Sequence, residues 1–130
     1  MRILCGTDIV ELQRIKKALD RQGEAFITRV FTSGEQEYCN RLNGRRQIDS
    51  YGARFAAKEA AAKALGTGVM TKGIVMTDFE VQNDYNGAPV LLLHGEAKRY
   101  ANELGVTDIS LSLSHDGGYA VAFCTMLAED

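Results

Sequence analysis

No apolar run in this chain approaches the ~20 residues that a membrane-spanning helix needs, so a spanning helix is excluded. Cysteine is scarce. Cys5, Cys39 and Cys124 are an odd number at wide, unpatterned spacing, which argues against both a disulfide framework and a zinc site. A reducing, cytoplasmic setting fits that usage. The opening stretch Met1-Arg2-Ile3-Leu4-Cys5-Gly6 is apolar only briefly before Asp8 and Glu11, too short for a secretory signal. Linkers, repeats and low-complexity tracts are missing, as are the recognised RNA- and DNA-binding motifs. What is there is an ordinary globular composition: 130 residues, 45% hydrophobic and 25% charged, most simply one domain over residues 1–130.

The net charge of −2 hides an asymmetry. Between Arg14 and Lys63 lie eleven basic against six acidic residues, a local +5, while the remainder carries −7. A basic segment on an acidic protein points to a local anionic partner rather than to a nucleic acid, which the acidic remainder would repel. A solvated helix face is the plainer meaning of the same pattern.

The stretch from Arg54 to Gly68 organises the chain. It is rich in alanine, lysine and glutamate, free of proline and closed by glycines, so a helix with a C-terminal stop is expected. At roughly 100° per residue, Ala57, Ala60, Ala61 and Ala64 share one face, and Phe55, Glu59 and Lys63 the opposite one. By itself the Glu59/Lys63 spacing is that of a surface i,i+4 pair.

Around this helix the pattern predicts a short strand over 3–10 with Asp8 near its end, then amphipathic helical pieces broken near Gly23. A capping box at Thr32-Ser33-Gly34-Glu35 opens a helix to about Leu42, with Ser33…Gln36 an equally good register. Asn43-Gly44-Arg45-Arg46 reads as a loop with paired arginines. Beyond Gly68, residues 73–77 and 79–81 read as extended chain, and Asn86-Gly87 ahead of Val90-Leu91-Leu92-Leu93 is a hairpin signal. A short helix follows from Gly95 to Leu104, ended by Gly105. Ile109 to His115 alternates without a fault, leaving serines on one face, and Asp116-Gly117-Gly118 turns it into a strand over 119–123. The fold class is α+β, a mostly antiparallel sheet packed with a long central helix.

Three features are able to carry chemistry. Asp8 and Glu59 are carboxylates on separate elements, and such a pair near a lysine can hold a magnesium ion that also binds substrate phosphates. Alone, Asp8 reads equally as a helix cap. Gly66-Thr67-Gly68 offers backbone donors to an anion, or is a plain C-cap turn; it is no Walker motif, because the helix precedes the glycines. His115, at the end of an alternating strand, stands where it can meet a phosphate, or is an incidental residue of the strand end.

In their order these segments closely resemble a known family. Gly6-Thr7-Asp8-Ile9-Val10-Glu11-Leu12 comes first, then Arg54-Phe55-Ala56-Ala57-Lys58-Glu59-Ala60 with Lys63 and Gly66-Thr67-Gly68. Asn86-Gly87-Ala88-Pro89 and Ser112-Leu113-Ser114-His115-Asp116 follow. The chain resembles the short bacterial holo-acyl-carrier-protein synthases, which are 4′-phosphopantetheinyl transferases, over almost its whole length. The resemblance implies that Asp8 and Glu59 hold Mg²⁺ on the pyrophosphate of coenzyme A, with Lys63 at the phosphoryl group. It implies a coenzyme A site of Arg45, Arg46, Arg54, Lys63, Gly66, Thr67 and His115, the arginine pair serving the 3′-phosphate. It further implies docking of an acidic acyl carrier protein on Arg14, Arg21, Phe26 and Arg29, and assembly as a homotrimer with active sites between subunits. Cys5 stands where an aliphatic residue is expected, a conservative change for the buried strand expected there. Two other classes fit the residues taken singly: a Mg²⁺-dependent hydrolase using the same carboxylates on water, and a non-catalytic module that binds an acidic protein or, as the poorer partner, a nucleic acid through the basic segment.

Overall fold

A computed structural model describes residues 1–130. Strand β1 (Arg2–Glu11) leads into helices α1 (Leu12–Gln22), α2 (Glu24–Val30) and α3 (Ser33–Asn40), and then into the 22-residue helix α4 (Gly44–Leu65). A 3₁₀ turn (Met76–Asp78) precedes the hairpin of β2 (Phe79–Asn83) and β3 (Pro89–Leu93). Helix α5 (Gly95–Leu104) and strands β4 (Val106–Asp116) and β5 (Tyr119–Ala128) complete the chain. All strand pairs are antiparallel, in a three-stranded sheet ordered β1-β5-β4 and a separate β2-β3 ribbon.

The alanine stripe explains how these pieces assemble. Ala56, Ala57, Ala60, Ala61, Ala62 and Ala64 are all buried, so the stripe is broader than the four-residue face expected. Small side chains let the sheet come close, and β1 comes closest. At Gly6 a Cβ would lie 2.1 Å from the Ala60 carbonyl oxygen and 2.6 Å from the Ala64 nitrogen, so strand and helix meet backbone to backbone. Gly6→Ala must push the two apart, and overpacking of this kind costs about 1–3 kcal/mol or more. Urea unfolding of that variant is expected to show the loss; a midpoint equal to the parent's would mean the crossing yields freely.

One core lies between α4, the sheet, α5 and the ribbon. A second, with Ile15, Phe26, Val30, Phe31, Cys39, Tyr51 and Met76, lies beneath α1–α3. Between them runs a buried ion pair. Lys58 Nζ donates to Glu35 Oε1 at 2.6 Å, to the Met76 carbonyl at 3.3 Å and to the Phe79 carbonyl. Glu35 in turn accepts from the backbone of Thr32 and of Val81. Every polar atom of the pair is used, which is the condition under which buried charge is tolerated.

The structure departs from the expected elements in three places. Arg45 and Arg46 are not in a loop but in the first turn of α4. Gly44 alone makes the turn, at φ +56°, and the Gln47 side chain ties it to the Cys39 and Leu42 carbonyls. Residues 73–77 are not a strand. Asp78 accepts from the backbone of Val75 and Ala97, and Lys58 draws the neighbouring carbonyls inward, so the chain coils. Finally, β1 continues to Glu11, which puts Asp8 within the strand. The Thr32/Glu35 capping box, the break at Gly23, the Asn86-Gly87 hairpin and the helix over 95–104 form as the sequence predicts.

Candidate active site

The strand register fixes where Asp8 points. Leu4, Gly6, Asp8 and Val10 share the face of β1 turned to α4, while Ile3, Cys5, Thr7 and Ile9 point the other way. Two residues beyond the backbone contact at Gly6, Asp8 reaches the edge of α4. There Lys63 Nζ donates to Asp8 Oδ1 at 3.1 Å and to the Thr7 carbonyl at 3.0 Å. Lys63 is thus paired with the strand rather than with Glu59, its neighbour one turn back. Asp8 does not cap α1; that position falls to Glu11.

Asp8 and Glu59 line one cavity of about 360 Å³, together with Ile9, Val10, Arg14, Phe26 and Phe55. Burial pushes the Glu59 carboxyl above its usual range, and the nearby Asp8 charge raises it further, with Lys63 only partly offsetting them. The two acids are therefore close enough to repel. No group of three or more His, Cys, Asp or Glu is arranged to hold a metal, so a site drawing all its ligands from such side chains does not fit. A hard cation that keeps its waters and needs only two carboxylate oxygens does.

The remaining expected residues separate. Arg46 and His115 come together in a second cavity of about 540 Å³, with Ser50, Asn83, Gly87 and Pro89 in its wall. Arg45, one position away and so turned about 100° around the helix, lines a third cavity of about 660 Å³ beside Lys16 and Gly118. Arg54 is buried, lining a cleft on the far side of Asn83. Gly66 is the left-handed C-cap of α4, and the Thr67 hydroxyl donates to the Gly68 carbonyl, so the helix-end reading of this tripeptide holds. Of the docking residues, Arg14, Arg21 and Arg29 are exposed, but Phe26 is a core side chain whose ring reaches the cavity wall. Two of the eleven cations in the basic segment, Arg54 and Lys58, are buried and contribute nothing to its surface.

The residues that sequence reasoning missed are Ser50 and Asn83 in the second cavity and Lys58 behind Glu59. Only Lys58 had a signal, as a lysine set among the buried alanines.

A strand carboxylate and a helix carboxylate in one cavity, beside a lysine and a basic helix, are groups able to bind a cation and a phosphate. The family model of the 4′-phosphopantetheinyl transferase superfamily matches residues 4–124. Holo-[acyl-carrier-protein] synthase of Ruminiclostridium cellulolyticum is 46% identical over 100% of this chain and 96% of its own length. That of Vibrio atlanticus is 49% identical over 95% of this chain and 94% of its own. The crystal structure of the Bacillus anthracis synthase in complex with CoA (3′,5′-ADP) superposes with a TM-score of 0.81 at 36% identity, covering 97% of this chain and 96% of that one. The chain belongs to the holo-[acyl-carrier-protein] synthase family of phosphopantetheinyl transferases.

Proposed function

We propose that this enzyme, acting as one domain over residues 1–130, transfers the 4′-phosphopantetheine arm of coenzyme A to a serine of an apo acyl carrier protein. The observation that carries the reading is the juxtaposition of Asp8, Glu59 and Lys63 where β1 crosses α4. The serine oxygen attacks the β-phosphorus of coenzyme A, the bond to adenosine 3′,5′-bisphosphate breaks, and the arm stays on the serine. Asp8 and Glu59 would hold Mg²⁺, which would supply charge neutralisation for the pyrophosphate. Lys63 turns its ammonium to the phosphoryl oxygens, and the hydroxyl proton goes to Glu59 or to a water beside the cation. Such a transfer needs positioning and charge neutralisation above all.

Arg46 and His115 sharing a cavity supports assigning it to the nucleotide end and its 3′-phosphate. Arg45 adds positive charge at the same end of α4. Gly66 and Thr67, just past Lys63, are assigned to the coenzyme A site.

Arg14 and Arg21 are seven residues apart on α1 and so lie on one face, with Arg14 at the mouth of the carboxylate cavity and Arg29 on the next helix. This face fits the acidic carrier protein. Arg14→Glu and Arg21→Glu are expected to raise KM for the carrier protein about tenfold or more, with little change for coenzyme A. Equal effects on both KM values would remove the docking assignment.

The outer face of the sheet supports a homotrimer. Ile3, Ile9, Tyr119 and Phe123 are exposed there on adjacent strands, an apolar surface of the kind that subunits cover. No helix is long and apolar enough to cross a membrane, and all three cysteines are free; the setting we assign is cytoplasmic. The direct test is mass spectrometry of apo carrier protein incubated with enzyme, coenzyme A and Mg²⁺. The added arm is expected only when all are present; turnover of coenzyme A without the acceptor would make the protein a hydrolase instead.

A further inference from the structure

The cavity shared by Arg46 and His115 takes its shape from a side chain that does not line it. Arg54 is 4% exposed and has no carboxylate partner, and its Nε has no hydrogen bond. A buried cation without a counter-ion is costly, so what it does hold matters. Nη1 donates to Ser50 Oγ and Nη2 to Asn83 Oδ1, each at 2.8 Å, and the guanidinium carbon lies 4.4 Å from the centre of the Tyr38 ring. Ser50, Asn83 and Tyr38 all line the cavity in front of it.

The grip on Asn83 extends further. Arginine only donates, so Oδ1 must face it, and the Asn83 amide nitrogen is left to face the hairpin turn. Asn83 Nδ2 does donate to the Gly87 carbonyl, at 3.1 Å. Otherwise the turn is held mainly from within, by Asp84 accepting from the backbone of Asn86, Gly87 and Ala88. The chain from Arg54 through Asn83 to Gly87 is therefore a side-chain route by which α4 sets the position of Gly87 and Pro89 in the cavity wall.

We infer that Arg54 is a positioning residue for the nucleotide end of coenzyme A: it fixes the Asn83 amide and thereby docks the Gly87–Pro89 turn onto α4, without itself touching the ligand. This rests on the functional reading above for the ligand's identity, but the clamp is testable without it. In the ligand-free protein, Arg54→Met and Asn83→Asp should each speed amide exchange over residues 84–88 about tenfold, the worth of one hydrogen bond, while exchange in α4 beyond Ala56 stays as it was. Asn83→Asp keeps an acceptor for Arg54 but removes the donor to Gly87, so it separates the two links and survives if Arg54→Met does not fold.

In turnover, both variants should raise KM for coenzyme A about tenfold with kcat nearly unchanged, the mark of lost binding rather than lost chemistry. The double variant should be no worse than the poorer single one. Unchanged hairpin exchange in both variants would overturn the clamp. A KM that rises in Arg54→Met but not in Asn83→Asp would also overturn it, since Arg54 would then meet the ligand directly. If the parent enzyme did not use coenzyme A, the exchange result would still stand and the functional reading alone would fall.

Discussion

Asp8→Ala and Glu59→Ala are each expected to lower arm transfer by on the order of 10³-fold, the scale of losing a group that stabilises transition-state charge. Both side chains project from the rim of the strand–helix crossing, whereas the crossing itself is made by Gly6 and the alanines. The variants should therefore keep the parent's circular dichroism while losing Mn²⁺ binding measured by electron paramagnetic resonance. Transfer that persists in either variant would defeat the carboxylate assignment.

Lys63 is paired with Asp8, the carboxylate a divalent ion would also draw on. Protons compete at Glu59 as well. Because its carboxyl is held above the usual range, by burial first and by Asp8 second, cation affinity should decline as pH falls through a region higher than an ordinary carboxylate would give. The sign for folding is the reverse of a salt-bridged acid. A raised value means the folded chain binds this proton more tightly than the unfolded one, so Glu59 costs stability above its folded value and that cost disappears on acidification.

The largest effect on stability is expected at Lys58. In Lys58→Met the Glu35 carboxylate stays buried without its partner, a loss of about 3–5 kcal/mol, which lowers Tm by about 10–20 °C in a domain of this size. Adding Glu35→Gln removes the stranded charge and should recover part of that loss. The glutamine introduced by that second change still offers an acceptor to the Thr32 backbone. A Lys58→Met protein as stable as the parent would show that water reaches this pair, contrary to its complete burial.

Where the sequence had a strong period or a strong local rule, the structure could be read from it. The alanine spacing placed α4 against the sheet, the Thr32/Glu35 box placed the start of α3, and the alternation over 109–115 put the serines outward. Sequence failed where one local signal outshouted a longer one. Asn43-Gly44 is a turn, but the arginines after it are good helix formers, and α4 starts ten residues earlier than the alanine-rich stretch suggested. That error hid the sorting of Arg45 and Arg46, which the first turn of the helix sets about 100° apart and so into different cavities. Asp8 and Glu59 could be named but not joined, because no spacing reports that two elements touch. Arg54 was assigned to the ligand from resemblance, and only the packing of Ser50, Asn83 and Tyr38 around it reveals what it holds.

The main-chain contact at Gly6 has a bearing on motion. With no side chain between them, strand and helix cannot slide or tilt without atoms colliding, so the two acids travel as parts of one stiff body. Any change of shape on ligand binding is expected away from this crossing, in the segment that follows the central helix. The crossing is a fixed frame for both side chains.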